Sequence, residues 1–445
     1  MTAQYRMCAV LAALCGLLFG AEAHAAPAIQ QWAHANGAQV YWVQDDTLPM
    51  VDVQIDVDGG ARREPAAQAG LAQATALLLQ KGSLAYQNRP ALDENQLTEA
   101  WVDLGAQFQV AATSDRLSIQ LRTLTDPEVL PQVLALAQQQ LAAPAWPQAV
   151  WQRERSRLVA AWQDAQTLPE TLAERLFAQA VYGGHPYGFE ATPTTWSNLH
   201  ASDMQAFYRT HAQTCQARVT LVGAVDRDQA NGVVAQLLKG WQAHGCKPLP
   251  VLPEVQPLSK PMPIKQNFEA AQAQVLVGQP GIKRDDPDYF ALTVGNHILG
   301  GGGFASRLMQ EIREKRGLTY GVYSYFSPAR HAAAFTVGMQ TRPDQAEQAV
   351  QLIHDELQKF VLQGPTETEL DTAKNALING FALRIDSNRK LLDNVASMAW
   401  NNLPLNYLDT WAQRVRQVTV GQVVQAFGRV LQPNRLVTVV VGGKP

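Results

Sequence analysis

Arg313 and Tyr320 are the two residues whose chemistry and spacing stand out in this sequence. A guanidinium and a phenol that meet at one point can both donate hydrogen bonds to an oxygen that carries or develops negative charge. Residues 305–316 are predicted to form a helix that ends at Gly317, and residues 319–326 are predicted to form a strand. Arg313 would lie in the last helical turn and Tyr320 at the entry to the strand, so the two groups could converge.

The predicted helix has a hydrophobic side. Phe304, Leu308 and Ile312 repeat at four-residue steps, which predicts that these three side chains face a core. Arg307 and Glu311 are expected on the opposite side, in contact with solvent. A short amphipathic helix is therefore predicted to carry Arg313.

Four consecutive glycines precede this helix, at residues 300–303, and they raise the question of a nucleotide site. Gly300, Gly302 and Ala305 satisfy the spacing of the dinucleotide fingerprint, but that fingerprint follows a strand, whereas residues 289–299 are predicted to be helical. No Lys-Ser or Lys-Thr pair follows, as a phosphate-binding loop requires. The glycines are therefore interpreted as a turn that does not bind nucleotide.

On spacing alone, Arg313 and Tyr320 would be a surface arginine and an ordinary sheet tyrosine. The segment, however, resembles the C-terminal half of the pitrilysin and insulysin-type zinc peptidases, in SRL at residues 306–308, EIREK at 311–315 and GLTY at 317–320. The resemblance implies that Arg313 and Tyr320 contact a bound peptide and its tetrahedral intermediate. It also implies substrate contacts from the glycine-rich turn, at Gly301, Gly302, Gly303 and Phe304.

The zinc motif of that family is absent from the first half of the chain. The resemblance aligns Gln73 and Leu77 with the two histidines, Ala76 with the general-base glutamate, and Ala160 with the third ligand. Zinc requires imidazole, thiolate or carboxylate ligands, and alanine cannot accept a proton. We therefore expect no metal or other cofactor to be bound by this chain.

Other catalytic arrangements receive little support. The densest group of ligand-type residues is 354–356, but adjacent residues of a helix point to different faces. His185 belongs to a loop that many family members share, and a structural role is expected for it. The sequence has no Gly-x-Ser-x-Gly elbow, although a serine or cysteine nucleophile with a distant histidine stays open.

The N-terminus and the overall charge indicate where the protein acts and which kinds of partner it does not bind. Residues 1–25 combine Arg6, an apolar run and Ala23-His24-Ala25, which predicts a cleaved signal peptide and a periplasmic protein. The net charge of −3 offers no basic field for nucleic acid, and no later segment is apolar enough to span a membrane. Cys215 and Cys246 would remain in the mature chain, either paired or as separate thiols.

The rest of the chain is predicted to be an α+β protein of two homologous mixed halves. Residues 26–246 and 264–445 form the halves, and residues 247–263, with six prolines, form a stiff linker. The closing strand of each half ends at an equivalent glycine, Gly223 or Gly442. In the strand at residues 51–57, alternation predicts one face in the core and the other in water.

The two halves differ in what they retain. The half expected to hold zinc lacks the ligands, whereas the other half keeps Arg313 and Tyr320. In the processing-type branch of the family, two chains share a chamber and only one carries metal. The resemblance therefore implies a non-catalytic subunit of a periplasmic, zinc-dependent endopeptidase heterodimer, paired with a homologous zinc-bearing subunit. The alternatives are a stand-alone peptide-binding protein and a structural assembly protein, of which the second has no use for an oxyanion-binding pair.

Overall fold

The computed structural model describes residues 28–241 and 246–443. Helices cover two separate β-sheets, which confirms the predicted α+β class and the two mixed halves. The predicted signal peptide, residues 1–25, lies outside the described residues. Across the described ranges, no helix combines the length and apolar character needed to cross a bilayer.

The first sheet has six strands in the order β1-β2-β6-β3-β5-β4. Only β2 and β6 run parallel, and the other neighbours are antiparallel. The strands are β1 Gln30–Ala33, β2 Gln39–Gln44, β3 Met50–Val57, β4 Gln107–Ala112, β5 Leu117–Leu124 and β6 Arg218–Gly223.

The second sheet has five strands in the order β7-β11-β8-β10-β9, with β7 and β11 parallel and the rest antiparallel. Its strands are β7 Met262–Gln266, β8 Ala273–Pro280, β9 Val322–Phe326, β10 Ala334–Thr341 and β11 Val437–Val441. Residues 246–261 form neither helix nor strand, and β7 begins inside the predicted linker.

The two sheets repeat one topology. Without β1, the first sheet matches the second strand for strand, including the single parallel pair. The last strand of each half leads into a glycine in the left-handed region, Gly223 at φ +147° and Gly442 at φ +151°. At each glycine the neighbouring strand, β3 or β8, passes so close that a side chain would clash with it. The duplication predicted from these glycines is therefore seen in the backbone.

Fourteen α-helices are seen in the described residues. The first half contains α1 Leu71–Leu78, α2 Glu94–Asp103, α3 Leu130–Ala142, α4 Gln148–Ala165, α5 Pro169–Tyr182, α6 Pro193–Ser197, α7 Ala201–His211 and α8 Arg227–Leu238. The second half contains α9 Tyr289–Asn296, α10 Ala346–Gln363, α11 Glu367–Asn379, α12 Asn388–Trp400, α13 Tyr407–Gln417 and α14 Val420–Val430.

The halves exchange one helix each. Helix α5, from the first half, packs on β8 and β11 of the second sheet, where Ala173, Phe177 and Val181 join a core with Leu276 and Val439. Helix α12, from the second half, packs on β3 and β6 of the first sheet. Because β3 and β6 correspond to β8 and β11, the exchange is reciprocal and ties the two halves together through buried contacts.

This exchange corrects the prediction for β3. Asp52, Gln54 and Asp56 were expected to face water, but all three are buried, because α12 covers that face of the sheet. Their polar atoms are paired across the sheet, with Arg122 Nε 2.7 Å from Asp52 and Arg116 3.0 Å from Asp56. Burial raises the pKa of Asp56, and Arg116 opposes that shift. The other face of β3 packs in the core of the first half, as predicted.

The two cysteines of the described chain are paired. Cys215 and Cys246 form a disulfide with an S–S distance of 2.05 Å, which decides between the alternatives that the sequence left open. The bond joins the approach to β6 with the start of the linker. The stretch of chain that the bond closes contains β6 and α8, and it ends where the chain leaves the first half.

Candidate functional site

The glycine-rich turn connects α9 to the segment that carries Arg313. Helix α9 continues into a π-helical turn, His297–Gly301, and a 3₁₀ turn follows at Gly303–Ala305. The next helical segment is short, at residues 307–314, and its greater part, Met309–Glu314, is π-helical. The predicted helix therefore exists, but it is less regular than the four-residue spacing implied.

At two positions in this turn, steric constraints explain why the residue is glycine. A side chain at Gly300 would lie 2.4 Å from the Ser324 hydroxyl, so only glycine allows β9 to pass this close. Gly303 has φ +62°, a conformation that favours glycine. Gly301 and Gly302 pack against Asn296 and His297. Substrate contacts from the turn stay a prediction.

Two side chains assigned to the predicted amphipathic helix differ in burial from the prediction. Phe304 is 64% exposed, because it belongs to the 3₁₀ turn before the helix and does not share its face with Leu308. Arg307, expected in solvent, is mostly buried and lies 2.7 Å from Glu369 and 3.6 Å from Glu356. The hydrogen bonds from Arg307 lower the pKa of Glu369 to about 2. Arg307 thus anchors the helix to α10 and α11.

Arg313 and Tyr320 line one cleft of about 580 Å³ on the second half. The Arg313 guanidinium lies 4.6 Å from the centre of the Phe304 ring and 3.0 Å from Glu314. Tyr320 is 88% exposed and precedes β9, which begins at Val322 rather than at residue 319. Stacking on Phe304 limits the motion of the guanidinium, whereas the phenol hydroxyl is free to meet a ligand.

The residues at the aligned zinc positions do not fit the metal. On α1, Gln73 is exposed, Leu77 is half-buried and Ala76 is buried, and on α4 Ala160 is exposed. None of the four can act as an imidazole, thiolate or carboxylate ligand. In the part of the chain that the structure describes, no three His, Cys, Asp or Glu side chains come together as a metal site would require.

A carboxylate on α4 that the sequence analysis did not single out lies beside this region. Glu154 is buried, and its carboxylate contacts Arg153 at 2.7 Å, Arg157 at 3.0 Å and Lys81 at 4.0 Å. Lys81 lies one turn beyond Leu77. Three cationic groups around one carboxylate oppose the approach of a divalent cation. The network instead joins the end of α1 to α4 by ion pairs.

A second buried carboxylate, also missed from sequence, caps α1. Glu64 accepts hydrogen bonds from the backbone N–H of Gly70 at 2.7 Å and of Ala72 at 2.5 Å, at the N-terminus of the helix. Burial raises the pKa of Glu64 to about 7, although these backbone donors oppose the shift. The helix that carries the aligned zinc positions is therefore held by a carboxyl that titrates near neutral pH.

The remaining candidate histidines take part in packing contacts. His185 Nδ1 accepts the Tyr187 N–H at 3.1 Å, and Nε2 lies 3.1 Å from the Pro253 carbonyl oxygen, so the ring joins its loop to the linker. His354 contacts the Thr438 hydroxyl at 3.0 Å, whereas Glu356 lies near Arg307. The residues of 354–356 thus point to different neighbours, as expected from their spacing.

Comparison with known proteins gives the family. Residues 39–194 match the insulinase family, peptidase family M16, and residues 198–377 match the peptidase M16 inactive domain. The crystal structure of a peptidase M16 inactive domain from Pseudomonas fluorescens is 31% identical and superposes with a TM-score of 0.87, covering 94% of this chain and 98% of that one. This chain belongs to peptidase family M16.

Curated relatives include proteins named as proteases and one named as a non-peptidase homolog. The non-peptidase homolog YmxG of Helicobacter pylori is 24% identical over 435 residues, 97% of each chain. The uncharacterized zinc protease SCO5738 of Streptomyces coelicolor is 31% identical over 270 residues, and the match spans 57% of either chain. The resemblance to pitrilysin and insulysin-type peptidases is thereby confirmed.

Proposed function

We propose that this M16 chain is the non-catalytic subunit of a periplasmic, zinc-dependent endopeptidase heterodimer. The observation that carries the proposal is the contrast between the two halves. Gln73, Ala76 and Leu77 cannot hold or use zinc, whereas Arg313 and Tyr320 line one open cleft. A chain with only the second set of groups can contribute to catalysis only beside a metal-bearing chain.

Each of the two cleft residues has a distinct role in this proposal. As a peptide carbonyl is attacked, negative charge develops on its oxygen, and the Tyr320 hydroxyl donates a hydrogen bond that strengthens with that charge. Arg313, positioned by the Phe304 ring, holds a substrate carbonyl or carboxylate as a charged donor. The exposure of Tyr320 leaves it accessible to a substrate shared with another chain.

Two observations support the periplasmic part of the proposal. Residues 1–25 have the charge, apolar run and small residues of a signal peptide. The disulfide between Cys215 and Cys246 suits an oxidising compartment better than a reducing cytosol. The subunit would be exported and would then pair with its homologue.

The heterodimer is tested by co-expression with a homologous M16 chain that carries an intact H-x-x-E-H motif and is encoded beside this one. A complex in light scattering, with peptidase activity that a chelator abolishes and that neither chain shows alone, is the expected result. If the chain stays monomeric beside every such homologue, or if the homologue alone is fully active, the heterodimer is wrong and a stand-alone peptide-binding role is favoured.

A further inference from the structure

A second cavity lies at the seam between the two halves, away from the cleft of Arg313 and Tyr320. It has a volume of about 380 Å³ and is bounded by residues 58–63, which follow β3, and residues 283–285, which follow β8. Residues 249–254 of the linker, 329–331 of the β9–β10 turn, and Asn401 and Asn402 after α12 complete its wall. Because β3 and β8 are equivalent strands, the cavity lies where equivalent loops of the two halves meet.

The wall of this seam cavity is mainly basic. Five lysine and arginine side chains line it, against three carboxylates. The five are Arg62, Arg63, Lys283, Arg284 and Arg330. An excess of positive charge within a partly enclosed space favours the entry of an anion.

Two of the three carboxylates are already neutralised. Asp58 lies 2.7 Å from Arg62 and 2.5 Å from Arg63. Glu254 lies 2.5 Å from Lys283 and 3.1 Å from His331. These ion pairs involve Arg62, Arg63 and Lys283. The positive charge available to a ligand therefore comes from Arg284 and Arg330.

The guanidinium groups of Arg284 and Arg330 have only neutral hydrogen-bond partners among the described residues. The backbone N–H of Arg330 donates to Asp115 at 2.9 Å, but that carboxylate is paired with Arg62 at 3.1 Å. Arg284 donates to the Tyr407 hydroxyl at 2.7 Å and stacks 3.9 Å from the centre of the Tyr289 ring. Arg330 donates to the Trp400 carbonyl oxygen at 3.3 Å. Asp285, the third carboxylate, is exposed and forms no ion pair with either guanidinium. Each guanidinium therefore keeps donors and a full charge for a ligand.

We propose that the seam cavity binds a small oxyanion, a carboxylate or a phosphate group, through the guanidinium groups of Arg284 and Arg330. The planar fork of a guanidinium matches the two oxygens of such a group, and the two forks come from different loops of the second half. The linker bounds the cavity, since Arg63 donates to the Pro250 carbonyl oxygen and Glu254 pairs with Lys283. The first half and the linker therefore enclose the cavity in which the two guanidinium groups of the second half hold the anion.

Calorimetric titration of the full chain at low ionic strength tests this site with three probes. These are inorganic phosphate, a short peptide with a free C-terminal carboxylate, and the same peptide as its C-terminal amide. Phosphate binding assigns the site to phosphate groups, and binding of the free peptide but not of its amide assigns it to carboxylates. The proposed site is refuted if phosphate does not bind and the free peptide binds no better than its amide.

Variants locate the binding. Arg330→Gln should weaken binding of the active probe roughly tenfold, the effect expected for losing one charge-assisted donor. Arg330→Lys should give an intermediate loss, because the charge stays and the fork is removed. Arg416→Gln is the matched control, since Arg416 is an exposed arginine of α13 outside the cavity. Equal weakening by Arg416→Gln would show general attraction to surface charge and would overturn the assignment. Thermal unfolding of each variant confirms that the fold is retained.

Discussion

Phe177→Ala tests the exchange of helices between the halves. Phe177 lies on α5, in the first half of the chain, yet its ring packs on the second sheet. The contact is close, because a side chain at Gly278 in β8 would lie 2.8 Å from the Phe177 ring. If the exchange holds the halves together, removing this ring should weaken β8 and β11 although the mutated residue belongs to the other half.

The expected loss follows from burial. Phe177 is 6% exposed, and replacing a buried phenylalanine with alanine costs about 3–5 kcal/mol, since apolar contacts are lost and a cavity remains. That is a large part of a typical unfolding free energy of roughly 5–15 kcal/mol. Phe304→Ala is the matched control, because the same truncation at an exposed site should change stability by less than about 0.5 kcal/mol.

Urea unfolding with amide hydrogen exchange measures both effects. Phe177→Ala should lower the unfolding free energy and reduce protection of β8 and β11 amides beyond that of β3 and β5 amides. Loss of protection confined to the first sheet, or a stability equal to that of Phe304→Ala, would refute the coupling through α5.

Three further predictions concern stability and metal content. Burial raises the pKa of Glu64 to about 7 in the folded state, from 4.5 in the unfolded state, so the folded state binds this proton more tightly. The unfolding free energy should therefore fall by about 3 kcal/mol as the pH rises from 4.5 through 7. Glu64→Gln should flatten that fall in urea titrations at several pH values, and an unchanged slope would contradict it. Gly223→Ala should cost at least about 1–3 kcal/mol in thermal unfolding, from its left-handed φ and a 2.2 Å approach to the Met50 carbonyl oxygen. Gly232→Ala on α8, where the added methyl meets nothing, should be tolerated. Elemental analysis of the purified chain should find no stoichiometric zinc, and one tightly held zinc per chain would contradict the account of Gln73 and Leu77.

Features that depend on short stretches of chain were predictable from the sequence. The glycines at 223 and 442 predicted the duplication, because a strand that ends in a left-handed turn requires glycine locally. Arg313 and Tyr320 were expected to converge because a short helix and a strand follow each other directly. The cleft that both residues line agrees with that expectation.

Features that depend on distant contacts were not predictable in the same way. The alternation in β3 predicted that one face of the strand contacts solvent. The sequence near Asp52 and Asp56 gives no indication that a helix from the other half covers this face. Arg307 was placed in solvent for the same reason, because Glu369 lies far along the chain. Glu154 could have been found from its place within a run of basic residues on α4, a pattern typical of an ion-pair network.

In the proposed heterodimer, Tyr320 and Arg313 act on a substrate that a zinc-bearing partner cleaves. Steady-state kinetics of the assembled complex with Tyr320→Phe test it most directly, because the ring is kept and only the hydroxyl is lost. We expect kcat to fall by roughly 10²–10³, the usual cost of losing one well-placed oxyanion donor, with KM little changed and assembly intact. Arg313→Ala should raise KM as well. Full activity of the complex with both substitutions would contradict the shared-site mechanism and leave this chain as a scaffold.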